Sequence, residues 1–192
     1  DEVITGFGRL GHAYAAERFG VTPDLLTFAK GVTSGTVPMG GVLARQGIYD
    51  TFMKGDEHVI ELFHGYTYTG HPMAAAAGVA TMDVYRDEKL FENAKALEET
   101  WADAAFSLQG NPLVEDIRTM GLVAAIDLKP DDGKTGLRHY KAMDNAFHDI
   151  GLLIRTTADT IALSPPLMIT KNQIEEIFMD KMPKVLASVG SL

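Results

Sequence analysis

The chain has 192 residues, of which 46% are hydrophobic and 22% are charged, and its formal net charge is −9. This acidity excludes a general binder of nucleic acid or of an anionic membrane, because phosphate groups would be repelled. Cysteine is absent, which excludes disulfides, thiol nucleophiles and thiolate metal ligands. No apolar run approaches the roughly 20 residues that a membrane-spanning helix needs. We therefore expect a cytoplasmic globular protein.

The first part of the chain mixes short buried strands, glycine-rich turns and helices. Residues 2–5 suit the end of a strand, and residues 11–21 suit a short helix that ends near Gly20. The apolar run 24–29 predicts a buried strand of the kind found in parallel sheets. Residues 40–45 predict another strand, 46–54 a short helix, and 71–85 an alanine-rich helix.

The second part alternates helices with strands. Residues 87–108 predict an amphipathic helix with Leu90, Leu97 and Trp101 on one side. Residues 114–129 are either two strands or one strand bent at Gly121. A helix at 137–150 is stopped by a glycine, short strands follow at 152–157 and 160–165, and a terminal helix covers 170–189 with Thr170 as its N-cap. The pattern predicts an α/β chain with two domains, 1–88 and 89–192.

The segment GFGRLG, residues 6–11, has the spacing of a dinucleotide-binding glycine motif. Such a motif needs a complete strand before it and an acidic residue that closes the next strand. The preceding run is short, and the available acid, Asp24, opens the next strand instead of closing it. We therefore interpret the glycines as a tight turn in which backbone segments pack closely.

One lysine stands at the end of an apolar run: Lys30 follows the predicted strand 24–29, and Gly31 leaves room beside it. An aldehyde cofactor with a pyridine ring needs an activated amine, a carboxylate at the ring nitrogen and donors for its phosphate. In open α/β sheets such groups collect at the carboxyl ends of strands, where Lys30 and Asp1 are both predicted to lie. From the residues alone, a solvated surface lysine remains the alternative.

Three segments resemble class III aminotransferases, which are pyridoxal-phosphate (PLP) enzymes of fold type I. They are DEVITGFGRLG at 1–11, FGVTPDLLTFAKGVTSGTVPMGGVLA at 19–44 and HGYTYTGHP at 64–72. The resemblance is closest to the branch that pairs β-alanine, other ω-amino acids or amines with pyruvate. Ile4 favours this branch, because ornithine and 4-aminobutyrate relatives tend to carry glutamine there.

The resemblance implies a fold and an origin for the chain. Residues 1–88 would be the C-terminal part of the PLP-binding large domain, with a mostly parallel sheet, and 89–192 the small α+β C-terminal domain. The chain would thus be the C-terminal portion of a longer enzyme that works as a homodimer with a shared active site. By itself it would bind the cofactor poorly and be inactive.

The resemblance also assigns roles to individual residues. Lys30 would form the Schiff base with PLP and carry the proton, Asp1 would pair with the ring nitrogen, and Val3 would pack on one face of the ring. Thr67 would reach the phosphate of the neighbouring subunit's cofactor, and Tyr66 would line the shared pocket. Arg155 would bind a substrate carboxylate, to which a guanidinium can pair through two hydrogen bonds.

Other functions remain open from the sequence. The same scaffold supports decarboxylation-linked transamination of the dialkylglycine decarboxylase type and aminomutase chemistry, and a non-catalytic binding module could descend from it. Each assigned residue also has an ordinary structural interpretation: Thr67 could cap a helix and Arg155 could form a surface ion pair. His64 and His71 lack a third ligand, so we expect no metal site.

Overall fold

The structure is a computed structural model that describes residues 1–131 and 133–190. Contacts within the chain divide it into two units, Asp1–Glu92 and Asn93–Leu192. The division falls inside a helix, Leu90–Phe106, and lies close to the boundary expected near residue 88. That these units are a cofactor domain and a small domain stays a prediction.

The first unit is built around a pair of short strands and one long helix. Its elements are α1 (Ala15–Arg18), β1 (Leu25–Ala29), a 3₁₀ turn (Lys30–Thr33), β2 (Gly40–Ala44), α2 (Gln46–Phe52) and α3 (Pro72–Asp87). Strands β1 and β2 are antiparallel, with Leu26 opposite Leu43. The strands predicted at 24–29 and 40–45 and the helices predicted in this part are therefore present, although α1 is shorter than expected.

Strand β1 pairs antiparallel with β2, although residues 24–29 suggested a strand of the kind found in parallel sheets. That the sheet of the large domain is mostly parallel stays a prediction. Residues 30–39 join β1 to β2 directly, and so short a connection returns the chain antiparallel, since a parallel neighbour needs a crossover of a dozen or more residues. Strand β1 is also not enclosed on both faces, because Leu26 is buried whereas Leu25 is exposed. Residues 3–10 form turns where a strand end was expected.

The second unit is a four-stranded antiparallel sheet with helices. After α4 (Leu90–Phe106) come β3 (Val114–Met120), β4 (Val123–Leu128) and α5 (Leu137–Asn145), which continues into a π-helical turn (Ala146–Ile150). Strands β5 (Arg155–Thr157) and β6 (Thr160–Leu163) follow. The chain ends with α6 (Lys171–Glu175), a second π-helical stretch (Glu176–Lys181) and α7 (Met182–Ser188). The strand order is β3-β4-β6-β5.

The core of this unit lies on one face of the sheet. Alternate residues of β4, namely Ala124, Ile126 and Leu128, are fully buried, as the two-residue period of a half-buried strand requires. Trp101 of α4 packs edge-to-face on Phe178, with ring centroids 4.9 Å apart. Aromatic pairs prefer this geometry, so α4 and the terminal helical segment are held together by their largest side chains.

Two local signals in this unit act as predicted. Gly121 has a φ of +53° and stands in a two-residue turn between the paired Met120 and Val123, so residues 114–129 are two strands. Thr170 caps the terminal helix: its hydroxyl accepts from the Gln173 amide, and the Gln173 side chain accepts from the Thr170 amide. This reciprocal capping box fixes where α6 begins.

The helices give no sign of a membrane segment. Among those in the described part of the chain, none combines the length and the apolar character that crossing a bilayer demands.

Candidate active site

Lys30 begins a tight turn at the end of β1. Its φ is +49°, in the left-handed region that residues other than glycine rarely adopt. The Lys30 carbonyl accepts from the Gly35 amide and the Gly31 carbonyl from the Ser34 amide, each at 3.1 Å. The buried hydroxyl of Thr33 donates to the Val37 carbonyl at 2.6 Å. The turn is thus ordered by its own hydrogen bonds, and the Lys30 side chain is exposed.

Gly31 is required here by packing against an aromatic ring. A Cβ at residue 31 would lie 2.7 Å from the Phe7 Cβ, closer than any two such atoms approach. The sequence predicted that this glycine leaves open space beside the lysine. On the side where a Cβ would point, that expectation is wrong, because Phe7 fills the space.

Phe7 comes from the glycine-rich segment 6–11, which is a tight turn. Phe7 itself has a φ of +57°, and its amide donates to the Ala13 carbonyl at 2.6 Å. Its ring lies among three others, with centroids 5.5 Å from Tyr14, 5.8 Å from Phe28 and 6.3 Å from Tyr85. The segment therefore packs against the lysine turn through Phe7, which is part of this aromatic cluster.

Asp1 and Val3 belong to a segment that is fixed beside β1. The Glu2 amide donates to the Thr27 carbonyl at 2.8 Å, and Thr27 lies in the strand that ends next to Lys30. Asp1 is exposed, and its Oδ1 accepts from the Val3 amide at 2.9 Å. The first residues and the lysine turn are therefore parts of one local structure, and the cofactor roles of Asp1 and Val3 stay a prediction.

Glu2 holds this segment in place. It is 5% exposed, and its carboxylate accepts from the amides of Ala15 at 3.1 Å and Ala16 at 2.8 Å and from the Thr5 hydroxyl. The two amides open α1 and have no partners within that helix, so the carboxylate satisfies them. Sequence reasoning missed this role, since the acid and the amides lie 13 and 14 residues apart.

Tyr85 of α3 is a second residue that the sequence did not single out. Its hydroxyl donates to the Gly31 carbonyl at 2.7 Å across 54 residues of sequence. Burial raises the pKa of this phenol above its ordinary value of 10, so the hydroxyl keeps its proton. Within the helix pattern of 71–85 the residue looked like any other aromatic on a packed face.

Tyr66 and Thr67 lie in the stretch 53–71, which contains no helix or strand. Both are exposed. The Tyr66 ring packs edge-to-face on Tyr68 with centroids 5.7 Å apart, and the Tyr66 carbonyl accepts from the Thr69 amide at 2.8 Å. Local turns thus present these side chains at the surface of the first unit. In the described residues no group of three potential ligands could hold a metal ion.

Arg155 is the first residue of β5, in the second unit, and pairs across the sheet with Ala162. It is exposed and borders a cavity of about 810 Å³. Apolar side chains such as Leu153 and Ile154 form much of the wall, and Gln173 and Lys181 add polar groups. A guanidinium at the edge of such a cavity is suited to bind a carboxylate whose carbon chain lies inside.

The site thus combines an exposed amine on an ordered turn at a strand end with a nearby segment that carries a carboxylate, and these are two of the groups that PLP chemistry requires. Residues 1–186 match the family model of aminotransferase class III. The chain belongs to this family.

Two curated relatives extend this result. An omega-aminotransferase of Caulobacter vibrioides is 51% identical over 189 residues, which are 98% of this chain and 43% of the relative. A beta-alanine–pyruvate aminotransferase of Pseudomonas aeruginosa is 42% identical over 180 residues, 93% of this chain and 40% of the relative. The chain therefore spans about two fifths of the length of these relatives.

Solved structures agree with the fold. A thermostable (S)-enantioselective omega-transaminase from Thermomicrobium roseum is 34% identical with a TM-score of 0.88, covering 100% of this chain and 43% of that one. An amine transaminase from an uncultivated Pseudomonas species, solved with PLP bound, is 33% identical with a TM-score of 0.82 and covers 98% and 43%. The fold is thus that of fold-type-I PLP transaminases, and class III aminotransferases use PLP as their cofactor.

Proposed function

We propose that the protein carrying this chain transfers an amino group from a β- or ω-amino acid or an amine to pyruvate, with PLP as cofactor. The proposal depends above all on Lys30, an exposed amine held by an ordered turn at the end of β1. Three of the similar proteins are aminotransferases that use pyruvate, with β-alanine, an ω-amino acid or putrescine as the other named substrate.

The residues of the first unit fit parts of the cofactor. PLP, when bound, supplies an aldehyde carbon for an amine and a pyridine ring that draws electrons from the substrate. Lys30 Nζ would hold the cofactor at that carbon and, once the substrate amine had displaced it, would remove and return a proton at the substrate carbon that bears the amino group. The Asp1 carboxylate would keep the proton on the ring nitrogen, and Val3 would pack against the ring.

Thr67 and Tyr66 serve a second site in this proposal. Both are exposed on a turn-rich stretch, where they are available to another subunit. The Thr67 hydroxyl would donate to the phosphate of the neighbouring subunit's cofactor, and Tyr66 would line the same pocket. The protein is then a homodimer whose two sites each take residues from both chains.

Arg155 selects the substrate. Its guanidinium binds the carboxylate of an amino or keto acid through two parallel hydrogen bonds, which fixes the orientation as well as the charge. The apolar wall beside it accepts the carbon chain of the substrate. An amine without a carboxylate does not need this contact.

The test uses the holoenzyme and two lysine variants, Lys30→Ala and, as a control, Lys54→Ala. Lys54 is an exposed lysine of the same unit. The wild type and Lys54→Ala should show turnover that depends on pyruvate and an absorbance band near roughly 410–430 nm, a range set by the electronics of the lysine-bound cofactor. Lys30→Ala should lose both, because alanine has no amine to bind the cofactor's aldehyde carbon.

Three results would contradict the proposal. Release of carbon dioxide in step with turnover would favour the decarboxylase type, and amino transfer within a single substrate would favour an aminomutase. A wild type without the absorbance band would indicate a non-catalytic binding module.

A further inference from the structure

The geometry at Lys30 depends on the carbonyl of the next residue. Lys30 has left-handed backbone angles, and a residue other than glycine keeps them only where its surroundings hold the chain. The Gly31 carbonyl, on the next peptide unit, accepts two hydrogen bonds, from the Ser34 amide at 3.1 Å and from the Tyr85 hydroxyl at 2.7 Å. Both acceptor positions of this oxygen are therefore used.

The two bonds differ in what they connect. Ser34 belongs to the same turn as Gly31, so its amide moves with the turn. Tyr85 belongs to α3, and its hydroxyl ties the turn to a 16-residue helix. The same helix approaches the turn again at Gly78, where an added Cβ would lie 3.6 Å from the Val32 carbonyl. Helix α3 is thus the support against which the lysine turn rests.

The Tyr85 side chain is itself well anchored. Its ring stacks on the Phe7 ring with centroids 6.3 Å apart and contacts the Phe91 ring with centroids 5.1 Å apart. Its hydroxyl also interacts with the Ser34 side chain. Burial raises the pKa of Tyr85, while Ser34 and the nearby guanidinium of Arg9 act in the opposite direction. The net effect is a higher pKa, so the phenol remains a hydrogen-bond donor at neutral and mildly alkaline pH.

We propose that Tyr85 is a positioning residue for Lys30: by binding the Gly31 carbonyl, its hydroxyl fixes the backbone from which the lysine amine extends. This inference depends on the proposed function in one respect, because it takes Lys30 as the amine that binds the cofactor. Tyr85 acts through the turn, because its hydroxyl binds the backbone of Gly31.

The test compares Tyr85→Phe with Tyr14→Phe in the holoenzyme. Both changes remove one hydroxyl from a tyrosine whose ring contacts Phe7. The Tyr14 hydroxyl makes no hydrogen bond to the lysine turn among the residues that the structure describes. Amide hydrogen exchange of Ser34 and Gly35 reports the turn directly, and kcat and KM report its effect on Lys30.

In Tyr85→Phe we expect exchange at Ser34 and Gly35 to rise by roughly two- to tenfold, the range that one hydrogen bond of ordinary net strength allows. We expect kcat to fall by a similar factor while the KM for the amino donor stays within about twofold, because the substrate contacts are intact. Tyr14→Phe should leave all three quantities at wild-type values.

The idea fails if Tyr85→Phe leaves exchange and kcat unchanged, or if Tyr14→Phe changes them as much. A wild-type protein with no pyruvate-dependent turnover would instead overturn the proposed function. The exchange measurement would still decide whether Tyr85 fixes the turn, because it does not require activity.

Discussion

Gly31 packs directly against Phe7 beside the lysine turn, and this contact leaves no room for a side chain at residue 31. Gly31→Ala should lower the free energy of unfolding by about 1–3 kcal/mol, because a Cβ placed 2.7 Å from the Phe7 Cβ forces the backbone or the ring to move. Denaturant unfolding of the protein measures this.

Gly47→Ala is the matched control. A Cβ at residue 47 meets nothing within 4 Å, and the residue lies in helix α2, where alanine is preferred over glycine by roughly 0.5–1 kcal/mol. The control should therefore be neutral or slightly stabilising. Equal destabilisation by both changes would show that Phe7 does not set the requirement for glycine at 31.

The sequence revealed the residues at this scale unevenly. Lys30 stood out because it follows an apolar run directly, and the family resemblance then gave Lys30 and Asp1 their roles. Glu2 and Tyr85 gave no comparable local signal. Their importance comes from contacts 13 and 54 residues away along the chain, and only the folded backbone brings those partners together.

At the scale of elements, a buried histidine joins α5 to the β5–β6 hairpin. His139 is fully buried, and its Nε2 accepts from the Leu128 amide at 3.2 Å. The Leu128 amide also donates to the Asp159 carbonyl at 3.0 Å, and the His139 Nδ1 lies 3.1 Å from Asp159 Oδ1 without hydrogen-bond geometry. Asp159 lies in the turn of the hairpin that begins with Arg155 and also accepts from the Gly136 amide at 2.7 Å.

The pKa of His139 gives this unit a dependence on pH. Burial lowers the pKa below its ordinary value of 6.5, although the carboxylates of Asp159 and Asp127 act in the opposite direction, and Arg138 adds to the lowering. The unfolded chain therefore binds a proton more readily than the folded one. The contribution of His139 to stability is complete above about pH 6.5 and decreases as the pH falls from there toward the folded-state pKa.

His139→Gln should reduce this loss of stability, since glutamine can accept from Leu128 but does not titrate. When the free energy of unfolding is measured with denaturant at pH 7.5, 6.5 and 5.5, it should fall less with decreasing pH in this variant than in the wild type. His148→Gln, an exposed residue in the π-helical turn that follows α5, should keep the wild-type slope. If His139→Gln also kept it, the histidine would not be the group that titrates.

The sequence predicted most elements but not how they pair. The apolar period identified the helices, Gly121 marked the hairpin, and the Thr170 capping box fixed the last helix, because each of these signals is local. The buried appearance of residues 24–29 suggested a parallel strand, yet β1 pairs antiparallel with β2. The short connection at 30–39 could have indicated this. The π-helical stretches left no signal that periodicity can detect.

For the whole molecule, the proposed shared site makes a prediction about mixed dimers. Lys30→Ala and Thr67→Ala each impair both sites of their own homodimer. When the two variants are combined, one site receives Lys30 from one chain and Thr67 from the other, and is therefore intact. Mixed dimers should recover about half of the wild-type activity, as the count of intact sites in a C2 dimer requires.

Turnover measured after the two variants are refolded together, against each variant refolded alone, tests this. A mixture of Lys54→Ala and Lys30→Ala is the control. It shows how much turnover returns when Lys30→Ala is combined with a chain whose proposed site residues are all intact. Absence of recovery in the Lys30→Ala and Thr67→Ala mixture would show that each chain completes its own site.

The π-helical stretch Glu176–Lys181 makes the terminal helix sensitive to the deletion of a residue. A π-turn accommodates an extra residue in a helix, and each residue of an α-helix turns the next by about 100°. Removing one residue would let α6 run smoothly into α7, but Met182, Val185 and Leu186, all fully buried, would point in a new direction. The π-helical stretch thus rotates α7 relative to α6 about the helix axis. This rotation lets both helices turn their apolar side chains toward the core.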